Sequence, residues 1–201
     1  MSDNLIRLLR NGEEKKLAIS ISLAFFYDPM AVYLMPDERK RLRTLNWVLT
    51  GMMQYCRKWG AVFTNDDMTA GSAWLLPGHT TMSSLRVLRT NLWQMPFRMG
   101  LQGSQRFAEV DKELSRAHNS LVSGDHWYLL MLGTAPQTQG SGAGSAALEV
   151  GMSHADKAGV PVYCETMTEQ NVEFYTKRGF EIGSEYVVAN QVKTWSLIKQ
   201  D

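Results

Sequence analysis

A glycine-rich turn at residues 139–145, with the sequence QGSGAGS, constrains this chain more than any other segment. An apolar, aromatic-rich run at residues 126–132 precedes the turn, and a small-residue helical pattern follows it. This order predicts a strand, a tight turn and a helix. Glycines at alternate positions allow successive backbone N–H groups to converge at the positive end of the helix dipole. The turn therefore predicts a binding site for a phosphate or pyrophosphate.

Several phosphate-binding motifs share this physical basis, and the residues help to separate them. No lysine follows the glycines, so a nucleoside-triphosphate loop is excluded, and Gln139 stands where a nucleophile elbow needs its first glycine. The spacing Gly142-x-Gly144-x-x-Ala147 does satisfy the dinucleotide pattern, with Glu165 about twenty residues further on. An NAD-dependent oxidoreductase is therefore an open alternative, although the remainder of the chain is short for a doubly wound sheet.

Two motifs together resemble those of the GNAT N-acetyltransferase superfamily. The segment Gln139-x-x-Gly142-x-Gly144, preceded by Pro136 and an apolar strand, is similar to the family's acyl-CoA pyrophosphate loop. The later segment NVEFYTKRGF at residues 171–180 is similar to the family's combination of an asparagine, a tyrosine and a Gly-Phe pair. Shorter stretches at residues 25–29, 74–78 and 126–129 resemble a branch related to puromycin N-acetyltransferases.

The resemblance implies a GNAT fold of the α/β (α+β) class. This fold has a mixed, mostly antiparallel sheet with helices on both faces and a splay between strands 4 and 5. The periodicity predicts extra helix between the third and fourth strands, with one helix around Leu85, Leu88 and Leu92 that Pro96 interrupts. Residues 30–35 are expected to be a connecting loop. Because the chain shows neither a repeat nor a linker, we expect a single domain spanning residues 1–201.

Acetyl-CoA is the cosubstrate that the resemblance implies, and the four histidines show no metal-ligand spacing, so no metal is expected. The turn amides would hold the pyrophosphate, and the backbone of the fourth strand would pair with the pantetheine arm and stabilise the oxyanion. The cofactor-binding residues expected on this basis are Leu132, Gly133, Thr134, Gln139, Gly140, Ser141, Gly142, Ala143, Gly144, Ser145, Asn171 and Tyr175.

The resemblance also implies catalytic residues. Tyr175 occupies the position from which a phenol donates a proton to the departing CoA thiolate, although it could instead pack the helix against the sheet. Asn171 would hydrogen-bond the pantetheine or cap the helix. The fourth strand lacks the carboxylate that many relatives use as a base, so Glu165, His126 or a water relay remains for that role. Cys164 is expected to be a buried thiol rather than an acyl carrier.

The acceptor is expected to be a primary amine of a small molecule, acetylated by direct attack in a ternary complex. Phe26, Asp28 and Tyr33 are candidates for binding it, although all three could be core or turn residues. The formal net charge of +1 gives no field that would attract nucleic acid or a membrane surface. The N-terminus shows no targeting segment, so we expect a soluble, cytoplasmic protein, and a homodimer is compatible with the resemblance. A non-catalytic acyl-CoA sensor is a further alternative.

Overall fold

The computed structural model describes residues 5–200. The expectation about a targeting segment concerns the N-terminus, and residues 1–4, like residue 201, lie outside the described residues. The strands are β1 Ile6–Leu8, β2 Gly60–Asn65, β3 Ala70–Leu75, β4 Trp127–Thr134, β5 Val162–Thr166, β6 Glu181–Val188 and β7 Val192–Lys199. The helices are α1 Glu14–Ile21, α2 Pro29–Leu34, α3 Glu38–Trp59, α4 Ser84–Val87, α5 Met95–Leu121, α6 Ala143–Ala158 and α7 Glu169–Thr176. Short 3-10 turns occupy Ser22–Phe25, Asn91–Gln94 and Pro136–Thr138.

The strands of residues 5–200 form one seven-stranded sheet in the order β1-β2-β3-β4-β5-β7-β6. Neighbouring strands run antiparallel except β4 and β5, which run parallel. The parallel pair is possible because α6 carries the chain back across the sheet between the two strands. The predicted mixed, mostly antiparallel sheet is confirmed.

Strands β4 and β5 separate after only a short paired stretch, which we call the fork. Residues 127–129 of β4 pair with residues 162–164 of β5, and the last pair joins Leu129 to Cys164. On its other side β4 stays paired with β3 as far as Thr134. The edge of β4 that faces β5 is therefore open from Leu130 onward, and the predicted splay is confirmed.

Apolar clusters lie on both faces of the sheet, as the GNAT fold predicts. On one face, α1 and α3 bury Leu17, Leu49 and Met53 against the sheet. On the other face, α6 and α7 bury Leu148 and Tyr175. Alternate side chains of β2, β3, β4 and β5 supply both clusters, because successive residues of a strand point to opposite faces.

The expectation of a loop at residues 30–35 is wrong, because α2 occupies Pro29–Leu34. The Asp28 side chain accepts hydrogen bonds from the backbone N–H groups of Met30 and Ala31, at 2.9 and 3.2 Å. Asp28 is thus an N-cap and Pro29 a first-turn residue, a combination that begins a helix.

The predicted insertion between β3 and β4 is present, but its helices differ from the prediction. A single short turn, α4, stands where the Leu85 pattern predicted a longer helix, and Leu85 and Leu88 are exposed. Pro96 lies in the first turn of α5 and does not interrupt a helix. Gly100, with a φ of 70°, bends α5 near its start. The rest of α5 runs to Leu121 and packs against β6 and α2.

Polar contacts hold α5 over the open side of the fork. The backbone N–H of Ala189, in the turn after β6, donates to Glu113 at 2.7 Å. The hydroxyl of Tyr33 on α2 donates to Glu109 at 3.1 Å. These two bonds tie α5 to both of its neighbours. None of the helices of residues 5–200 is both long and apolar enough to cross a lipid bilayer.

Candidate active site

A cavity of about 240 Å³ lies at the fork. Its walls come from β4, the end of β5, and helices α2, α3, α5 and α7. Most of its lining is apolar, with Met30, Met52 and Leu132 among the contributors. The few polar groups are therefore the ones that can orient a ligand. They are Asp28, Thr80, Thr81, Asp111, Ser115, His118, Tyr128, Glu165, Thr166, Asn171 and Tyr175.

Glu165 stands one residue beyond the last β4–β5 pair and is held by two tyrosines. The hydroxyl of Tyr128 donates to Oε2 at 2.6 Å, and the hydroxyl of Tyr163 donates to Oε1 at 2.8 Å. Burial raises the pKa of Glu165 to about 7, against the lowering effect of the two hydroxyl donors. A carboxylate with this pKa can accept a proton near neutral pH.

The two tyrosines are held in turn by their own neighbours. The hydroxyl oxygens of Tyr163 and Ser196 are 2.8 Å apart, and Tyr186 lies 3.3 Å from the same serine hydroxyl. Because Tyr163 gives its proton to Glu165, Ser196 is the donor in the first of these bonds. Burial raises the pKa of Tyr163 and that of Tyr128, so both phenols remain donors. The carboxylate is therefore fixed in position.

His126 does not line the cavity, and His118 lies between it and the cavity. The Nε2 atoms of the two rings are 2.6 Å apart. The second nitrogen of His126, Nδ1, lies 2.8 Å from the carbonyl oxygen of Gly124. Both nitrogens of His126 are thus engaged, whereas His118 contributes to the cavity wall. Sequence reasoning missed His118, because it lies on α5, for which no motif gave an orientation.

Tyr175 reaches the cavity from α7, on the opposite face of the sheet from Glu165. Its ring makes edge contacts with Phe174 and Phe180, each at 5.3 Å between centroids. Burial, with a smaller effect of Cys164, raises the pKa of Tyr175 well above its usual value. The phenol is therefore protonated at neutral pH and can donate a proton. Packing and proton donation are compatible in this geometry.

Asn171 lines the cavity from the first turn of α7. The cap of this helix is Thr168, whose side-chain oxygen accepts from the Asn171 backbone N–H at 3.3 Å. The helix-capping alternative for the Asn171 side chain is therefore wrong. Its amide is exposed and available to a ligand.

The glycine-rich turn forms the start of α6, as predicted. Gly140 and Gly142 have φ values of 79° and 85°, and a side chain built on either would meet open space. Gly142 is the N-cap of the 16-residue helix α6. The turn is therefore unobstructed beside these two glycines, at the positive end of the α6 dipole. This is the arrangement that a pyrophosphate requires, so the turn fits the CoA group that the fold implies.

Gly144 serves a different purpose, because it allows α6 to approach β4 closely. A Cβ at Gly144 would lie 2.5 Å from the Thr134 hydroxyl oxygen. Gln139 reaches back to the same strand and donates to the Thr134 carbonyl at 3.4 Å. The turn is thus fixed against the end of β4, beside the open edge of the fork.

Arg178 is a cation beside this turn that sequence reasoning missed. Its guanidinium donates to the Ser145 hydroxyl at 2.7 Å and to the Phe174 carbonyl at 2.7 Å. It also lies 3.6 Å from the centroid of the Phe174 ring. Ser145 is in the first turn of α6, where the helix dipole disfavours a cation. A bound anion would compensate for the charge of Arg178 and for the positive end of the α6 dipole.

The three residues expected to bind the acceptor are not all at the cavity. Asp28 lines it, but its carboxylate caps α2. Phe26 packs beneath the guanidinium of Arg41, which lies 5.2 Å from its ring centroid. Tyr33 bonds to Glu109, as described above. Phe26 and Tyr33 are outside the cavity wall.

Both cysteines are buried free thiols, as expected for Cys164. Burial raises the pKa of Cys164, so its sulfur is a poor nucleophile at neutral pH. Among residues 5–200, His, Cys, Asp and Glu side chains form no group of three that could hold a metal ion.

A family model and a curated relative both point to acetyltransferases. Residues 103–180 match the family model described as acetyltransferase (GNAT) family. An uncharacterized N-acetyltransferase of Schizosaccharomyces pombe is 28% identical over 174 residues, which cover 83% of this chain and 70% of that protein. Residues 103–180 include most of α5, the fork and both motifs.

Solved structures show the same fold. A Corynebacterium glutamicum structure, described as histone acetyltransferase HPA2 and related acetyltransferase, has a TM-score of 0.65, 15% identity and coverage of 97% of this chain and 94% of its own. Arylalkylamine N-acetyltransferase 2 from Aedes aegypti has a TM-score of 0.63 and 12% identity, with 98% of both chains covered. The NatC complex bound to Gag peptide and CoA has a TM-score of 0.54 and 11% identity, also with 98% of both chains covered.

Four observations agree with one another. They are the forked sheet, the glycine-rich turn before α6, the family match and the S. pombe relative. Residues 103–180 are similar to the acetyltransferase (GNAT) family, and the chain as a whole is similar to an N-acetyltransferase and shares its fold with solved acetyltransferases.

Proposed function

We propose that this protein transfers the acetyl group of acetyl-CoA to a primary amine of a small molecule, by direct attack in a ternary complex. The observation that carries the proposal is that Glu165 and Tyr175 both line one cavity at the fork. One group can accept a proton near neutral pH and the other can give one. We further propose that residues 1–201 form a single domain, that the protein is cytoplasmic, and that it belongs to the branch related to puromycin N-acetyltransferases.

The chain offers residues for each part of acetyl-CoA. The amides of residues 139–145 would bind the pyrophosphate at the start of α6. The open backbone edge of β4, including Leu132 and Thr134, would hydrogen-bond the pantetheine arm, with Asn171 across the fork. Gly133 is tightly packed against Phe25 and Ile21 and would serve by its backbone alone. The CoA seen in the NatC complex supports this assignment by analogy of fold.

Acetyl-CoA supplies an acetyl group activated as a thioester. The acceptor nitrogen would form the new amide bond as the carbon–sulfur bond breaks. Glu165 would accept the proton that the amine nitrogen loses, at one of its carboxylate oxygens. Tyr175 would give its phenolic proton to the sulfur that leaves, so the proton count balances over the two residues. Because Cys164 is buried and protonated, direct transfer needs no acyl-cysteine step.

The acceptor side of the cavity suits an amine with an apolar body. Phe25, Met52, Phe107 and Leu114 line it, and acidic or imidazole groups are placed among them. A volume of about 240 Å³ matches a small molecule better than a folded protein surface. The mosquito arylalkylamine N-acetyltransferase, which has the same fold, provides a reasonable first class of acceptors.

Thiol release from acetyl-CoA in the presence of single amines tests the proposal. Phenethylamine, a straight-chain alkylamine and a diamine make a suitable first panel, with heat-inactivated protein as the control. Acetylated product that accumulates together with free thiol supports the proposal. Acetyl-CoA binding without product from any amine would favour a sensor, and NAD binding without acetyl-CoA binding would favour the oxidoreductase alternative.

A further inference from the structure

The His118–His126 pair at the back of the cavity has a proton arrangement that its neighbours determine. The carbonyl oxygen of Gly124 can only accept a hydrogen bond, so the nitrogen facing it, His126 Nδ1, carries a proton. In a neutral ring the other nitrogen, Nε2, is then an acceptor. The proton between the two rings therefore belongs to Nε2 of His118, which donates across 2.6 Å.

The same reasoning leaves the second nitrogen of His118 without a proton. Burial, together with the nearby His126, lowers the pKa of His118 to about 4, so its ring is neutral at physiological pH. With Nε2 protonated, Nδ1 carries a lone pair. Within residues 5–200 no hydrogen bond engages that atom. His118 therefore provides an acceptor to a ligand in the cavity that it lines.

The ring of His118 also contacts the two tyrosines that hold Glu165. It stacks on Tyr163, with centroids 4.4 Å apart and an angle of 18° between the rings, and lies 5.0 Å from the ring of Tyr128. These are the two tyrosines that donate to Glu165. The imidazole and the carboxylate are thus positioned by the same pair of side chains.

Helix α5 presents further polar groups on the same face. Asp111, Ser115 and His118 all line the cavity, and their spacing of four and three residues places them in one row. The row crosses a wall that is otherwise apolar. An insertion that the sequence left without a role thus supplies polar contacts on the acceptor side.

We propose that Nδ1 of His118 accepts a hydrogen bond from the acceptor amine and holds its nitrogen beside Glu165, with His126 as the positioning residue that selects this tautomer. The inference rests on the proposed function, because it assigns the amine to this cavity. His118 binds the acceptor in this account, and Glu165 receives the proton.

Two variants of His118 separate its two nitrogens. His118→Gln keeps a donor near the position of Nε2, facing His126, but has no acceptor near Nδ1. His118→Asn keeps an amide oxygen near Nδ1 and loses the contact with His126. With phenethylamine as acceptor, we expect KM for the amine to rise about fivefold in H118Q, as for a lost neutral hydrogen bond, and less in H118N. Acetyl-CoA affinity should not change in either variant.

The tautomers can be read directly from the intact protein. Long-range ¹H–¹⁵N spectra of imidazole-labelled wild type should show His118 protonated at Nε2 and His126 at Nδ1. The Nδ1 signal of His118 should shift on addition of phenethylamine. In His126→Phe the Nε2–H of His118 loses its acceptor and the tautomers should mix, whereas His126→Gln should restore the single tautomer, since its amide oxygen can accept.

The outcomes distinguish this inference from the proposed function. Wild-type KM and rate in H118Q, or a His118 ring protonated at Nδ1, would overturn the role of His118 while acetyl transfer stands. Failure of wild type to acetylate any amine of the panel would overturn the proposed function, and with it the acceptor role of His118. If His118 is protonated at Nε2 but its Nδ1 signal does not shift on addition of an amine that the protein acetylates, the inference is overturned and the proposed function stands.

Discussion

The hydroxyl of Tyr128 donates a 2.6 Å hydrogen bond to Oε2 of Glu165, and this bond spans the point at which β4 and β5 separate. Tyr128 lies within the paired stretch, opposite Tyr163, and Glu165 follows the last pair. The bond therefore links two strands that the backbone no longer joins. It holds a carboxylate at the inner end of the fork, where the acyl group and the amine would meet.

Activity should depend on the ionisation of Glu165. Because burial raises its pKa to about 7, the carboxylate form that can accept a proton becomes dominant as the pH rises through 7. We expect kcat/KM for the amine to rise over this range, since this parameter reports groups of the free enzyme. Glu165→Gln should lower the rate about a hundredfold or more and remove this limb of the pH profile.

The exposed Glu181→Gln variant is the matched control for Glu165 and should leave the profile unchanged. Ionisation of the substrate amine also contributes a limb to the pH profile. Amines of different intrinsic pKa separate the two limbs, because only the substrate's limb shifts with the pKa of the amine. A pH profile that is the same in E165Q and wild type would show that another group, or water, takes the proton.

Tyr175→Phe should slow acetyl transfer by about a hundredfold or more when the chemical step limits the rate. The ring stays in place between Phe174 and Phe180, so acetyl-CoA affinity should change little. Tyr27→Phe is the control, since this tyrosine is 75% exposed and does not line the cavity. An unchanged rate in Y175F, measured at saturating amine, would restrict Tyr175 to packing.

Gly144→Ala should weaken the docking of α6 on β4. The new Cβ would lie 2.5 Å from the Thr134 hydroxyl oxygen, so either the Thr134 side chain or the strand and helix themselves must shift. Overpacking of this kind costs about 1–3 kcal/mol of unfolding free energy. Adding Thr134→Ala removes that oxygen and should recover most of the loss. Chemical denaturation measures both variants, and equal stability of G144A and wild type would contradict the close approach.

Arg178→Gln should reduce acetyl-CoA affinity, because it removes a cation beside the proposed pyrophosphate site. A loss of about tenfold at low salt, shrinking as salt is added, is the expected result for a charge contact. Lys177→Gln is the control, since Lys177 pairs with Glu173 on the exposed side of α7. Equal effects of the two substitutions would indicate a general charge effect and no specific contact of Arg178.

Elements with a strong local signal were predictable from the sequence. The turn at Gly140 and Gly142 was recognisable because backbone conformations with positive φ select glycine. The hairpins and the fork followed from the order of apolar runs and from the resemblance. The N-cap role of Asp28 was missed, because a proline after an aspartate marks either the end of one helix or the start of the next.

Long-range contacts account for what the sequence did not predict. His118 lies on α5, and only the packing of α5 against β6 and α2 brings it to the cavity. Arg178 lies in the turn after α7, and only the tertiary structure brings it to Ser145 in the first turn of α6. Glu165 was identified by its position at a strand end, but its two tyrosine donors, Tyr128 and Tyr163, became evident only from the register of β4 and β5.

Mass-spectrometric detection of the acetylated amine, after incubation of the protein with acetyl-CoA and phenethylamine, tests the central claim most directly. Wild type should form N-acetylated product with an equal amount of free CoA thiol, and E165Q and Y175F should form far less while still binding acetyl-CoA. Acetyl-CoA binding without acetylation of any primary amine, or equal product from all three proteins, would contradict the account.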